Sequence, residues 1–340
     1  MRKHTLIAGI AAGALLLAAC GDDDEPSATE APDATVAAAS TPAAVTAPSA
    51  SAPATTGAVG TAGTAPTSEA TGSSPAPDED DGPQAIISLA PTHTETLFAI
   101  GAGDQVIAVD DQSDFPAEAA AVSTDLSGFE PNVEAIAGYE PDLVVLSDAT
   151  IQPQLESLGV AVWVGAAPAT FEEAYAQIEQ LGAATGHIAE AAELVAQMSL
   201  EIEAIITAVP VPEAPLTVYH ELDNTYYSVN SSTFIGQVYA QFGLQNIADR
   251  AEGDSGGYPQ LNAEAIISAD PDLIFLADAS FGESAETVSA RPGWQDITAV
   301  ADGAIFAVDE DAASRWGPRI VDFVRSVGEA VTAVAVPAGG

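Results

Sequence analysis

A repeated segment constrains this chain more than any other feature. The stretch from Asn132 to Asp148 returns from Asn262 to Asp278, with nine of seventeen positions identical at an offset of 130 residues. Both copies carry Asn, Glu and Ile at alternate positions (Asn132, Glu134, Ile136; Asn262, Glu264, Ile266). A Pro-Asp-Leu triplet follows in each (Pro141, Asp142, Leu143; Pro271, Asp272, Leu273), and each ends on an Asp. The residue before a proline is pushed out of the α region, so each copy predicts a short helix that stops there and leads into a buried strand. A unit repeated at this spacing predicts two related lobes.

Around the first copy the pattern alternates. Strands are predicted over 85–90, 105–110, 143–147 and 160–164, with helices from about 92, over 132–138 and near 153. A βα series implies a mainly parallel sheet covered by helices. Thr92 with Glu95, and Thr170 with Glu173, have the spacing of a capping box, and Gly101 with Gly103 ends the first helix. The second lobe repeats the theme through strands near 216–220, 273–277 and 304–308, and a helix over about 318–335 closes the chain. Between the lobes Ile188, Ala192, Val195, Met198, Ile202, Ile205 and Val209 recur every three or four positions. They predict one uninterrupted helix over 186–209, roughly 36 Å long. The fold class is therefore α/β: two Rossmann-like lobes, 84–185 and 210–336, with mainly parallel sheets joined by one long backbone helix. Lobes joined this way move little and leave a preformed cleft, where open α/β sheets and domain junctions hold ligands.

The 83 residues ahead of the lobes have a different character. Arg2 and Lys3 precede an uncharged run, too short to span a bilayer comfortably, that ends in Leu17-Ala18-Ala19-Cys20. Residues 1–20 read as a signal peptide, and the last four are similar to the lipobox of bacterial lipoproteins, in which the cysteine is lipidated. Cys20 is the only cysteine, so a disulfide scaffold is excluded. Residues 21–83 are Ala, Pro, Thr, Ser and Gly with few large apolar side chains, a tether of roughly 45 Å end to end. The formal net charge is -43, and after Gln84 39 acids face five arginines and no lysine. This balance repels phosphate and argues against nucleic-acid binding. Adaptation to a salty medium and ligand steering both account for it.

Further segments carry a resemblance. Ile87 to Glu95 with Gly101, the Ser113-Asp114-Phe115-Pro116 loop, both lobe signatures, and Asp311 to Ile320 with Arg315, Trp316 and Arg319 follow one another in a set order. Over about 84–335 the chain resembles the helical-backbone (class III) substrate-binding lipoproteins of ABC importers, the group that captures vitamin B12 and ferric siderophores. The resemblance implies an extracytoplasmic, lipid-anchored receptor that takes a cobalamin-like or Fe(III)-siderophore ligand and needs no cofactor. Its partner would be a permease dimer with a cytoplasmic ATPase. Carried over by position, Glu134 and Glu264 match the two glutamates that dock on permease arginines. Equally, each acid sits in a first helical turn, where the dipole favours it. Asp311 and Arg315 match ligand-cleft positions, Tyr258 matches an aromatic that lies against the ligand, and Trp316, His220 and Gln112 join them as candidate ligand contacts. Where the B12-binding member has rim aromatics, this chain has Gln112, Asp125 and Ser147 or Asp148. Phe129, Tyr226, Tyr227 and Trp316 are the candidate replacements for broad apolar contact. An Asp311 to Arg315 salt bridge at a helix start is the alternative reading of that pair.

Other chemistries fit less well. A bare Zn or Mn receptor needs several converging histidines, and after the signal only His93, His187 and His220 remain. No metal site is predicted. There is no nucleophile elbow, phosphate loop or dinucleotide glycine pattern, so an enzyme is not predicted. A non-transport surface lipoprotein using the same fold is the remaining alternative.

Overall fold

The computed structural model describes residues 82–253 and 255–335. The signal segment, Cys20 and all but the last two residues of the tether lie outside the described residues.

Among the described residues eight strands form two sheets. In the first lobe these are β1 (Ile86–Ser88), β2 (Val106–Val109), β3 (Leu143–Leu146) and β4 (Ala161–Val164). In the second they are β5 (Thr217–Glu221), β6 (Gln245–Asn246), β7 (Leu273–Leu276) and β8 (Ile305–Ala307). The orders are β2-β1-β3-β4 and β6-β5-β7-β8, the same topology twice, and every pairing is parallel. Strands β1, β3 and β7 are buried along their whole length, as apolar runs covered by helices on both faces must be.

The repeat explains itself in local geometry. Asn132 caps the helix Val133–Ala137, its side chain accepting from the Glu134 and Ala135 amides at 3.0 and 3.1 Å. Asn262 caps the helix Ala263–Ala269 by accepting from Ala265 N at 2.9 Å. Glu140 and Asp270, just before the two prolines, both take left-handed backbone, with φ of 55° and 49°. Asp142 accepts from Gln84 N at 2.9 Å, and Asp272 from Thr217 N at 2.7 Å. Each of these two carboxylates therefore ties the central strand of its sheet to the strand beside it.

Two expectations about helix ends are corrected. The helix Pro91–Ala99 starts at Pro91 with Ala90 as an uncapped N-cap, and Thr92 lies inside it. Proline's fixed φ starts this helix without a side-chain cap, so Thr92 and Glu95 form no capping box. Thr170 does cap the helix Phe171–Thr185, accepting from Glu173 N at 3.2 Å, but the Glu173 carboxylate accepts from Ala169 N instead of closing the box. Strand β6 was not anticipated, because two polar residues make no hydrophobic run. It is fixed by pairing with β5 and by Asn246 Nδ2 donating to Val229 O at 2.8 Å.

The long helix runs Ile188–Ala208, 21 residues, or about 31 Å. Its buried stripe is Ala191, Met198 and Ile202, so Ile188, 65% exposed, and Ala192 are not on the inner face. Ala191 turns inward because Gly182 of the preceding helix leaves room: a Cβ there would lie 2.4 Å from the Ala191 Cβ. One continuous apolar core joins the first sheet (Val109, Val145), this helix (Met198, Ile202), the second sheet (Val218, Phe275) and the closing helix Ile320–Ala335 (Phe323, Val327). Phe171 and Phe234, one from each lobe, meet edge to face with ring centroids 5.2 Å apart.

Candidate functional site

The segment Ala313–Trp316 runs between the lobes, and a cavity opens on each side of it. One, of about 280 Å³, is lined by Ala167–Ala169 from the first lobe and by Leu222, Ser232–Ile235 and Tyr258 from the second. The other, of about 360 Å³, is lined by Ala90–Thr92, Gln112, Phe129 and Ser147 of the first lobe together with Asp311 and Arg315. Ser314 and Trp316 line both. The floor between the lobes is packed core, and the space above it is an interrupted cleft. It offers aromatic surface (Phe129, Tyr258, Trp316), hydroxyl and amide groups (Thr92, Ser147, Ser232, Gln112), one carboxylate and one guanidinium.

Trp316 is held by the first lobe. Its Nε1 donates to Gln177 Oε1 at 3.0 Å, and His93 meets it edge-on at 5.9 Å. His93 is itself fixed by Trp163 at 4.8 Å and by its Nε2 on Gly165 O at 2.7 Å. Burial takes the His93 imidazole down to about 4, so it is neutral at physiological pH and serves as a wedge.

Arg315 is almost wholly engaged by carboxylates. It donates to Glu95 Oε1 at 2.8 Å and to Asp311 Oδ1 at 2.5 Å, with Asp114 at 3.6 Å. Arg319 donates to both oxygens of the same Glu95, at 3.0 and 2.6 Å, and stacks on Phe115 at 4.5 Å. The sequence reading gave Glu95 to a helix cap, yet this nearly buried carboxylate joins the first-lobe helix to the segment between the lobes. A signal existed: in a helix whose residues Thr92–Leu97 are all buried, an acid needs a cation, and the chain has few.

Tyr258, Asp311, Arg315, Trp316 and Gln112 line the cleft, as do Phe129 and Ser147. His220 does not. It is fully buried within the second sheet, its Nδ1 bonded to Tyr239 Oη at 2.6 Å and its ring against Phe323, and burial takes it down to about 3. Its place on β5, whose residues 218–221 are all buried, makes it core and corrects the expected cleft contact. Tyr226 is likewise occupied, stacked on the buried Trp294, while Tyr227 is exposed and lines neither cavity. Arg325 lies outside the cleft on the closing helix, paired with Glu201 and Asp322. It borders a larger apolar groove of about 550 Å³ between the long helix and the closing helix, formed by residues of those two elements.

The terminal aspartates of the repeat have diverged. Asp148 is exposed, and hydrogen bonds from the Thr150 hydroxyl and then its backbone amide hold it below the usual carboxylate range. Asp278 is 3% exposed, and neither of its oxygens has a hydrogen-bond partner; burial beside Glu221 pushes it up to about 7. Glu134 and Glu264 are exposed at the same position of equivalent helices. Among the described residues no group of three or more His, Cys, Asp or Glu side chains is arranged to hold a metal ion, and no helix is long and apolar enough to cross a membrane.

A family model described as periplasmic binding protein matches residues 86–312. A Bacillus subtilis protein named uncharacterized ABC transporter substrate-binding lipoprotein YvrC is 29% identical over 259 residues, which is 73% of this chain and 80% of that one. A cobalamin-binding protein of Halobacterium salinarum is 31% identical over 265 residues, 75% of this chain and 71% of the other. Among solved structures, a possible iron-binding (periplasmic solute-binding) protein of Staphylococcus epidermidis aligns with a TM-score of 0.64 at 25% identity, covering 74% of this chain and 99% of that one.

Proposed function

The chain belongs to the periplasmic binding protein family, and on that premise we propose that it captures a cobalamin-like or ferric siderophore ligand between its lobes and delivers it to an ABC importer. It is a binding protein, not an enzyme. The observation that carries the ligand reading is the pair of cavities that meet at Trp316, walled by both lobes and faced with aromatic rings. A flat macrocycle or a wrapped iron chelate needs broad apolar walls and a few oriented polar groups, and Tyr258, Phe129, Trp316 and the neighbouring hydroxyls supply them. The core that joins the lobes keeps the walls in place before the ligand arrives, which lowers the ordering cost of binding. The names of the relatives support the same class of ligand.

In this reading Cys20 carries the lipid anchor, in keeping with the lipoprotein among the relatives. Glu134 and Glu264 dock on the permease, one carboxylate per lobe on equivalent helices. Two matched anionic contacts suit a two-fold permease, with the ATPase on its cytoplasmic side. The test is the double variant Glu134→Ala with Glu264→Ala. Its affinity for cyanocobalamin or ferrioxamine B, whichever the wild-type protein binds, should equal that of wild type, and transport by cells or proteoliposomes carrying the cognate importer should be lost. Lost affinity with retained docking would reverse the assignment of these residues.

A further inference from the structure

The cleft has almost no positive charge to offer. Arg315 is the only basic side chain lining either cavity. Together with its neighbour Arg319 it faces four carboxylates: Glu95 on both, Asp311 on both, Asp114 near Arg315, and Asp309 3.9 Å from Arg319. Glu95 accepts three hydrogen bonds of 2.6 to 3.0 Å from the two arginines, is 2% exposed, and comes from the first-lobe helix Pro91–Ala99. Most of Arg315's donors are thus spent inside the protein, with the remaining contact going to Gln112 O at 3.4 Å. What is left for a ligand is neutral or acidic: hydroxyls of Thr92, Ser147, Ser232, Ser314 and Tyr258, the Gln112 amide, and the partly exposed Asp311 carboxylate. The overall charge of -43 adds a long-range bias of the same sign.

We infer that Glu95 is a specificity-determining residue, which by neutralising Arg315 and Arg319 from behind makes the cleft select uncharged or cationic ligands and reject polyanionic ones. This deepens the receptor reading and rests on it: of the ligands that fit the cleft, an amide-bearing corrinoid or a neutral to cationic ferric hydroxamate is accepted, and a haem with two propionates or a ferric tris-catecholate is turned away. The physical cause is desolvation without repayment. A carboxylate brought against a guanidinium already paired with acids loses its water and gains no free partner. Glu95 acts through the arginines and is a positioning residue; Arg315 is the group at the ligand.

The experiment is a binding panel on the full chain, read by tryptophan quenching and native mass spectrometry, with cyanocobalamin, ferrioxamine B, hemin and a ferric tris-catecholate. Wild type should bind a neutral or cationic member and prefer it over both anions by about tenfold or more. Glu95→Gln should raise the anion-to-neutral affinity ratio by about tenfold, the size expected when one buried countercharge is removed. Glu95→Asp, which keeps the charge, should restore the wild-type ratio, a result that a merely structural role would not give. Should Glu95→Gln fail to fold, Asp311→Asn, on a partner of Arg315 more exposed than Glu95, should shift the ratio in the same direction. Wild-type preference for hemin or the catecholate overturns this inference and leaves the receptor reading standing, and so does a ratio that neither substitution moves. Binding of none of the four overturns both.

Discussion

A neutral imidazole inside a protein couples stability to pH, and His93 is such a group. Unfolded, it takes up a proton below about 6.5; folded, only below about 4. Between those values the unfolded chain binds more protons, so the histidine's contribution is present above pH 6.5 and is lost as pH falls through the window. The full gap corresponds to on the order of 3 kcal/mol. Protonation of the many surface acids relieves self-repulsion over the same range, so the effect is isolated by difference. In urea unfolding, the advantage of wild type over His93→Gln should be largest at pH 7 and shrink steadily toward pH 4; a difference independent of pH would contradict the buried neutral state. Residues were the hardest scale to read from sequence. Asp311 with Arg315 was legible because the spacing carried both possible roles, and the structure combines them: the pair is a salt bridge and it lines the cleft. His220 misled because a histidine near the end of a strand looks the same whether that end is open or roofed by Tyr239 and Phe323. Glu95 was missed because its partners lie more than two hundred positions away, a separation no local spacing rule can bridge.

Elements were far easier to read, since they depend on short-range patterns. The apolar runs at β3 and β7 and the helix stops before Pro141 and Pro271 stand where the repeat put them, because a buried apolar run favours a strand and the residue before a proline is kept out of the right-handed α region, here in left-handed backbone at Glu140 and Asp270. The polar two-residue β6 escaped, since it is fixed by tertiary contacts and not by pattern, and the first helix was placed correctly but given the wrong cap, since Pro91 starts it without one. The repeat also predicts matched energetics. Asn132→Ala and Asn262→Ala should each cost about 1 kcal/mol in chemical denaturation, with the two losses additive, because each removes one helix cap in a separate lobe. Strong coupling between them would argue against independent equivalent caps. Across the lobes the reverse holds. Phe171→Ala and Phe234→Ala should each cost about 3 kcal/mol or more, and a double-mutant cycle should return a coupling near 1 kcal/mol for the edge-to-face pair. Zero coupling would mean that the lobes are not held together there.

At the scale of the whole molecule, net charge and architecture act together. A formal charge of -43 pushes the folded chain apart, and salt screens it over a Debye length of about 10 Å at 0.1 M. The urea midpoint should therefore rise when NaCl is increased from low concentration to about 0.5 M; a fall would mean that the buried ion pairs of Glu95 with Arg315 and Arg319, and not the surface repulsion, dominate the salt response. The duplicated lobes and the cleft between them were legible because of the internal repeat, and the long helix because of its own apolar periodicity. The choice of cavity was not, since a groove larger than either cleft cavity lies on the long and closing helices and the cleft is split in two by Trp316. Hydrogen exchange of the full chain, with and without whichever of cyanocobalamin or ferrioxamine B it binds, decides between these surfaces. Ligand should protect the segments 90–92, 167–169, 232–235 and 313–316 from both walls at once; protection confined to the groove around Ile205 and Thr332, or spread over one lobe alone, would contradict capture between the lobes.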